Sequence, residues 1–427
     1  MAELGSAFAG EMSMTYFLES LHKNLGRLPT FALCIEGAPR SRTTSAANLA
    51  RIYGARVRTR VSAPADRREA LRKYLVDRGL VPKYGSAGAP TIDALLARLI
   101  DGEELEVQDF WLSSDTVRSS AGAERESSLV RTVSTCVELG LLTPGKLSLT
   151  SWGEVLLTLA SLEALLSGQN PFEPSPAYCW AAYFLVLRSD WAFSGAVLRA
   201  LPEMRFGFRE DILPKATSII ESVLRATPAS ASNRSARAWL TRQLQSARRL
   251  DVRSLELQPS DSVDTKTLLR PLEDVFLPRL EFMVDVGILT KPDPGRFTYE
   301  RGPSYEAFSE LVAGSQTRLD HSFFTTVARA SGRDGTAVEA PDGVAAHLAQ
   351  SARALKGVTG YAPIHETVTL ANLTGWARDP WMYVEIETAE AALRSLATAT
   401  PVRARLLSDR FGRAHTFSLL EATGGPR

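Results

Sequence analysis

The sequence predicts a mainly α chain with small β-hairpins and a small C-terminal α+β domain. Three observations lead there. Apolar residues recur at helical spacing through most of the chain. Two similar segments each run from an apolar helix through a glycine and a Pro/Gly turn into a short alternating strand. The C-terminal part alternates like strands on either side of one helical stretch.

At 427 residues the chain has room for roughly two to four domains. Its 44% hydrophobic and 23% charged content is that of an ordinary globular protein with a core to bury. The net charge of +1 gives no chain-wide attraction to nucleic acid or to an anionic membrane, so any such attraction must be local. Cys34, Cys136 and Cys179 are far apart in sequence and odd in number. That fits a reducing cytoplasm without a disulfide framework or a thiolate zinc site. The first residues carry no basic-plus-apolar leader pattern, and the most apolar stretch, Tyr178 to Leu187, is half the length of a membrane span. A cytoplasmic protein that does not enter a membrane is expected.

The elements are predicted in order as follows. A basic helical N-terminal domain covers 1–120. It opens with a helical pattern around Tyr16, Phe17, Leu21 and Leu25, then the apolar run FALCIEG, then two helices in a basic region. The small, polar stretch 113–128 marks its end. A second domain, 121–230, holds the first repeated segment and an aromatic helical block with Tyr178, Trp180, Tyr183, Phe184 and Trp191. A third, 231–335, opens on a basic helix over about 233–253 and holds the second repeat. The fourth, 336–427, starts with the helix VAAHLAQSARAL. There HETVTLANL, WMYVEIET and VRARLL are expected to be strands, with the helix TAEAALRSLATA between the last two.

The repeat is the most informative feature. STCVELGLLTPGKLSLT begins at Ser134, and EFMVDVGILTKPDPGRFTYE begins at Glu281. In each, Gly140 or Gly287 suits a left-handed helix C-cap. Leu141-Leu142-Thr143 or Ile288-Leu289-Thr290 follows, then a turn, a strand and a second helix. This order resembles the end of a winged-helix module, in which a recognition helix runs into a two-stranded wing. The resemblance implies tandem winged-helix-like modules, and with them either DNA binding or protein assembly. In the first copy Val130, Val133 and Val137 are expected to pack inward, leaving Arg125, Arg131, Ser134 and Thr135 outward and Lys146 on the wing. In the second, Glu273, Asp274, Glu281 and Asp285 would repel a phosphate backbone, so a packing or protein-contact role is expected.

Two basic regions are the electrostatic candidates for holding DNA. Between Arg40 and Lys83 twelve Lys or Arg residues stand against three acids, and Arg40, Arg42, Arg58, Arg60, Arg67 and Arg68 are the expected phosphate contacts. Arg40 and Arg42 also precede a helix N-cap. Over 233–253, Arg237, Arg248 and Arg249 are the expected contacts. Arg125, Arg131 and Lys146 of the first repeat complete the set.

The chemistry-bearing motifs are missing. There is no phosphate loop, GxGxxG turn, GxSxG elbow or HExxH helix. His22, His321, His347, His365 and His415 are scattered. No catalytic residue, metal ligand or cofactor is therefore expected. Glu385 and Glu387, on one face of an expected strand after Asp379, and His365-Glu366 at an expected strand edge are the candidate acid–base groups. Cross-strand pairing with Arg403 and Arg405 is the preferred reading. Trp376 and Trp381 are read as core aromatics at a turn. The expectation is a non-enzymatic DNA-binding adaptor with protein partners. The Arg/Ala-rich composition suggests a bacterial multi-protein complex, of a phage-defence or mobile-element kind by association alone. The alternatives are a winged-helix transcription regulator and a divergent metal-dependent nuclease.

Overall fold

A computed structural model of the chain describes residues 17–19, 28–35, 38–39, 44, 133–160, 175–230, 233–250, 263–292, 297–313, 319–330, 341–356, 361–376, 383–399, 404–408 and 414–419. The fold is mainly α with small antiparallel strand pairs. It divides into two compact units, Thr15–Ala313 and Gly314–Arg427 with Met1–Met14.

The first unit is built around one long apolar helix. Its described helices begin with α1 (Pro29–Ile35), an unlabelled helix at 133–138, and α2 (Ser151–Leu159). The central α3 (Pro176–Ala200) starts on a Ser175 cap whose hydroxyl accepts from the Tyr178 N–H, with Pro176 at the first position. Nearly every α3 residue from Ala177 to Leu187 is buried. A helix apolar on all sides needs neighbours on all sides. These are α2, α4 (Ala216–Ala226), α6 (Val263–Asp285) and α7 (Tyr305–Ala313). Helix α5 (Arg234–Arg249) packs on α4 and α6.

The repeat is real and its hinges are the predicted glycines. Gly140 and Gly287 have φ of 72° and 71°, left-handed values that glycine adopts without a Cβ penalty. In both copies the amides that follow fold back alike: the Leu141 N–H donates to the Cys136 carbonyl, and the Ile288 N–H to that of Met283. The next aliphatic pairs, Leu141-Leu142 and Ile288-Leu289, are fully buried. In the first copy Leu142 bridges Leu149. In the second, β2 (Leu289–Thr290) pairs with β3 (Thr298–Arg301), Leu289 opposite Arg301. The following helices start at Thr150 and Ser304, and the Thr150 hydroxyl accepts from the Gly153 N–H.

A third strand completes the second hairpin. In the second copy β1 (Phe206–Gly207) lies on the far side of β3, giving the order β1-β3-β2. In the first, the Leu149 N–H donates to the Pro39 carbonyl and the Thr44 N–H to that of Lys146.

The second unit repeats this connectivity. Helices α8 (Leu319–Ala330) and α9 (Pro341–Leu355) precede β4 (Ala362–Pro363), α10 (Ile364–Gly375), α11 (Ile386–Ala399), β5 (Ala404–Ser408) and β6 (Ala414–Leu419). The sheet order is β4-β6-β5. Leu348, Ala352, Ile364, Val368, Ile386, Leu393 and Phe417 join three helices and the inner sheet face in one core. The order is helix, strand, two helices and a hairpin, with the first strand beside the last. The sequence repeat did not point to this order.

One expected strand here is helical, and the described part of a second, 383–388, is helical only from Ile386. HETVTLANL forms α10, whose residues from Thr367 to Leu373 are all buried. Burial on every side removes the polar face that marks an amphipathic helix, and the Thr/Val alternation then mimics a strand. Glu385 precedes α11 and Glu387 lies in its first turn, so the acids are two apart on helical rather than strand geometry and do not share a face. VRARLL contains β5 as expected, but its partner is β6 and not the 383–387 segment.

Candidate nucleic-acid interface

Helix α5 carries the described basic surface. Leu240, Leu244 and Ala247 recur at helical spacing and are buried. The opposite face, Arg234, Ser235, Ala238, Thr241, Arg242, Gln245, Arg248 and Arg249, is exposed. No acid occurs between Arg234 and Arg249. Helix stability does not ask for this. The helix dipole favours Arg248 and Arg249 in the last turn but opposes Arg234 at the N-terminus, where acids belong. At about 1.5 Å per residue the stripe runs roughly 22 Å. That is the length of about six phosphates on one strand of duplex DNA.

The predicted contacts on this helix separate on inspection. Arg249 is exposed at the end of the stripe. Arg248 is also exposed, and its Nη2 lies 2.7 Å from Glu221 Oε1 with both side chains substantially in water. Such pairs contribute little and exchange readily. Arg237 is different. It is half-buried, and its Nη1 donates to the carbonyls of Leu224 and Thr227, closing the C-terminus of α4. That guanidinium is spent on the fold. Arg234 and Arg242 also belong to the exposed face. Lys146 is exposed at the first hairpin turn, between Gly145 at φ 74° and Leu147 at φ 52°. Arg40, Arg42, Arg58, Arg60, Arg67, Arg68, Arg125 and Arg131 lie outside the described residues.

The helices leading into the hairpins are less open than expected. Thr135 is fully buried beside Cys136, so it belongs to the inward face of the 133–138 helix. In α6 every residue from Val275 to Met283 is buried, which leaves no free side there to enter a groove. Glu281 is inside the protein: its Oε1 lies 2.7 Å from Lys291 Nζ and accepts from Tyr299 Oη at 2.6 Å. Asp285 Oδ2 accepts from the Leu28 N–H at 2.8 Å. Glu281 and Asp285 therefore serve the packing rather than an outward face.

Sequence reading missed a buried ionic node. Asp190 and Arg279 are both fully enclosed, with Nη2 to Oδ1 at 2.6 Å and Nε to Oδ2 at 2.8 Å. Ser194 Oγ donates to Asp190 Oδ2 at 2.8 Å, and the guanidinium lies 4.0 Å over the Phe193 ring. Asp190 leaves the helical conformation (φ −130°, ψ 22°) and kinks α3. The remaining valences grip the N-terminal segment. The Leu18 N–H donates to Asp190 Oδ1 at 2.7 Å, and Arg279 Nη2 donates to the Leu18 carbonyl at 3.1 Å. Phe17 stacks on Trp239 of α5 at 5.2 Å and packs on Phe193 at 6.4 Å. The available signal was a single acid and a single base, each inside an apolar helical run.

Two further placements bear on chemistry. Cys34 and Cys136, distant in sequence, meet in the core. Hydrogen bonding to Cys34, then burial, then the neighbouring thiol's charge push the Cys136 thiol well up. It is therefore a poor nucleophile. Among the described residues no cluster of His, Cys, Asp and Glu is arranged to hold a metal. No described helix is long and apolar enough to cross a membrane. Trp376 is buried at the end of α10, edge-on to Phe324 at 5.2 Å. His365 and Glu366 stand in the first turn of α10 rather than at a strand edge.

Compared with known protein families, curated proteins and solved structures, the chain matches none.

Proposed function

We propose that this chain is a non-catalytic DNA-binding adaptor that holds the duplex backbone through the exposed arginines of α5. The observation that carries this reading is the acid-free stripe of Arg234, Arg242, Arg248 and Arg249, which includes an arginine where the helix dipole disfavours one. Guanidinium groups spaced along a helix neutralise phosphates and release counterions without reading sequence. Protein partners are assigned to the second hairpin module and the C-terminal unit, as part of a bacterial multi-protein assembly. Helix α6 is packed on all sides over Val275–Met283, and α11 begins beside Glu385 and Glu387, which repel phosphate.

The test is binding of a labelled duplex by fluorescence anisotropy across a salt series. Arg234→Glu with Arg249→Glu is expected to weaken binding at least tenfold and flatten the salt dependence by about two units of slope. Unchanged affinity and slope would sink the reading. Cleavage of the duplex in magnesium, lost in Glu385→Ala, would replace it with a nuclease.

A further inference from the structure

Residues 17–19 lie in neither a helix nor a strand, and no main-chain to main-chain hydrogen bond ties them to the described residues. What holds them is a socket of side chains from three helices. Asp190 of α3 accepts from the Leu18 N–H at 2.7 Å, and Arg279 of α6 donates from Nη2 to the Leu18 carbonyl at 3.1 Å. Phe193 of α3 and Trp239 of α5 receive the Phe17 ring, with centroids 6.4 Å and 5.2 Å away. Phe17 and Leu18 are both buried in this socket. A segment woven into a fold pairs its main chain with that of its neighbours. This one is gripped as a bound peptide is, by the amide and carbonyl of one residue and the ring of the residue before it.

We propose that Asp190, Arg279, Phe193 and Trp239 form a recognition site for a peptide presenting an aromatic residue followed by leucine, with Phe17–Leu18 as its exchangeable resident. The socket is built to survive being emptied. Arg279 Nε and Nη2 bond both carboxylate oxygens of Asp190, Ser194 Oγ donates to the same carboxylate, and the Val275 carbonyl accepts from Arg279 Nη1. The pair is therefore neutral by itself. Departure of the segment frees one acceptor and one donor, which water can satisfy, and strands neither charge. Recognition divides between two parts of the ligand. The bonds to Leu18 reach its main chain and fix position and direction, whereas the slot between Phe193 and Trp239 selects the ring that precedes it. A partner protein carrying the same pair docks by displacing residues 17–18. This site does not depend on whether α5 holds DNA.

Two measurements on the full chain test this. The probe in the first is a fluorescein-labelled synthetic peptide of residues 15–20, followed by anisotropy. A Phe17→Ala, Leu18→Ala chain no longer fills its own socket and is expected to bind the peptide saturably, one to one. The parent chain should bind it at least roughly tenfold more weakly, because the tethered resident competes at a millimolar effective concentration. A peptide methylated on the Leu18 nitrogen lacks the N–H that Asp190 accepts from, and should bind the double variant roughly tenfold more weakly or worse. A peptide with alanine in place of the aromatic should lose at least as much. No binding by the folded double variant, equal binding by the parent chain, or equal binding of the methylated peptide would each overturn the proposal. The second measurement needs no variant and decides the matter should the double variant not fold. In native-state hydrogen exchange of the parent chain, an exchangeable resident opens locally. The Leu18 amide is then expected to exchange at least roughly tenfold faster than the slowest α6 amides, with little dependence on low urea concentrations. Exchange of Leu18 only at the rate of global unfolding would make residues 17–18 a permanent part of the core, and the recognition site would fall.

Discussion

At the scale of single residues, the buried ions set the largest stakes. Asp190 accepts from Arg279, Ser194 and the Leu18 amide, and no water reaches it. Removing one partner of such a pair strands the other in a low dielectric, at a cost of about 3–5 kcal/mol. Arg279→Met is therefore expected to lower the denaturant midpoint by that equivalent. A combined Asp190→Leu, Arg279→Met protein should recover part of the loss. Tyr183 gives the opposite case. Its hydroxyl is buried with no hydrogen-bond partner among the described residues. Burial, and secondarily the Asp190 charge, push its ionisation far above the ordinary tyrosine range. The folded state thus keeps the phenolic proton more tightly than the unfolded chain does. Its contribution is complete below the usual tyrosine value and is lost as pH rises beyond it. Tyr183→Phe is expected to be neutral or up to about 1 kcal/mol stabilising at pH 7. In urea melts near pH 11 it should be clearly more stable than the parent chain.

At the scale of elements, the hairpin corners decide how helices hand over to strands. Gly287 sits at φ 71°, and a Cβ there would come no nearer than 3.6 Å to Ser304 Oγ. Space is available, so the penalty of Gly287→Ala is conformational, about 1–2 kcal/mol from the left-handed backbone alone. A melting curve showing no loss would mean that the helix end can relax into another conformation. These corners were legible because glycine, the paired aliphatics and the turn all point to one geometry. Helix α10 was not legible. Its burial on every side erases the periodic signal, and its β-branched residues favour the wrong answer until packing is known. Helix α5 was legible as a basic helix. The distinction between Arg237, which closes α4, and Arg242, which lies on the exposed face, depends on tertiary neighbours that no local pattern records.

At the scale of the whole molecule, a net charge of +1 leaves the long-range field nearly neutral. On the proposed reading, duplex binding would come from where the arginines stand rather than from how many there are, and raising the salt is expected to abolish it within a narrow range. The repeated connectivity was partly foreseen: two hairpins announced themselves by glycine and proline. The third had no such punctuation and showed only in the order of its strands. Long-range closure was invisible to sequence reading, because nothing near Leu18 names Arg279 as its partner.

That closure also governs synthesis. Leu18 leaves the ribosome 261 residues ahead of the guanidinium that holds its carbonyl. At about 5–20 residues per second the wait is roughly 13–50 s. Throughout it Phe17 and Leu18 are without their burial site, and the kinked helix around Asp190 is without its counter-ion. Closure of the clamp on Leu18 therefore waits on synthesis of α6.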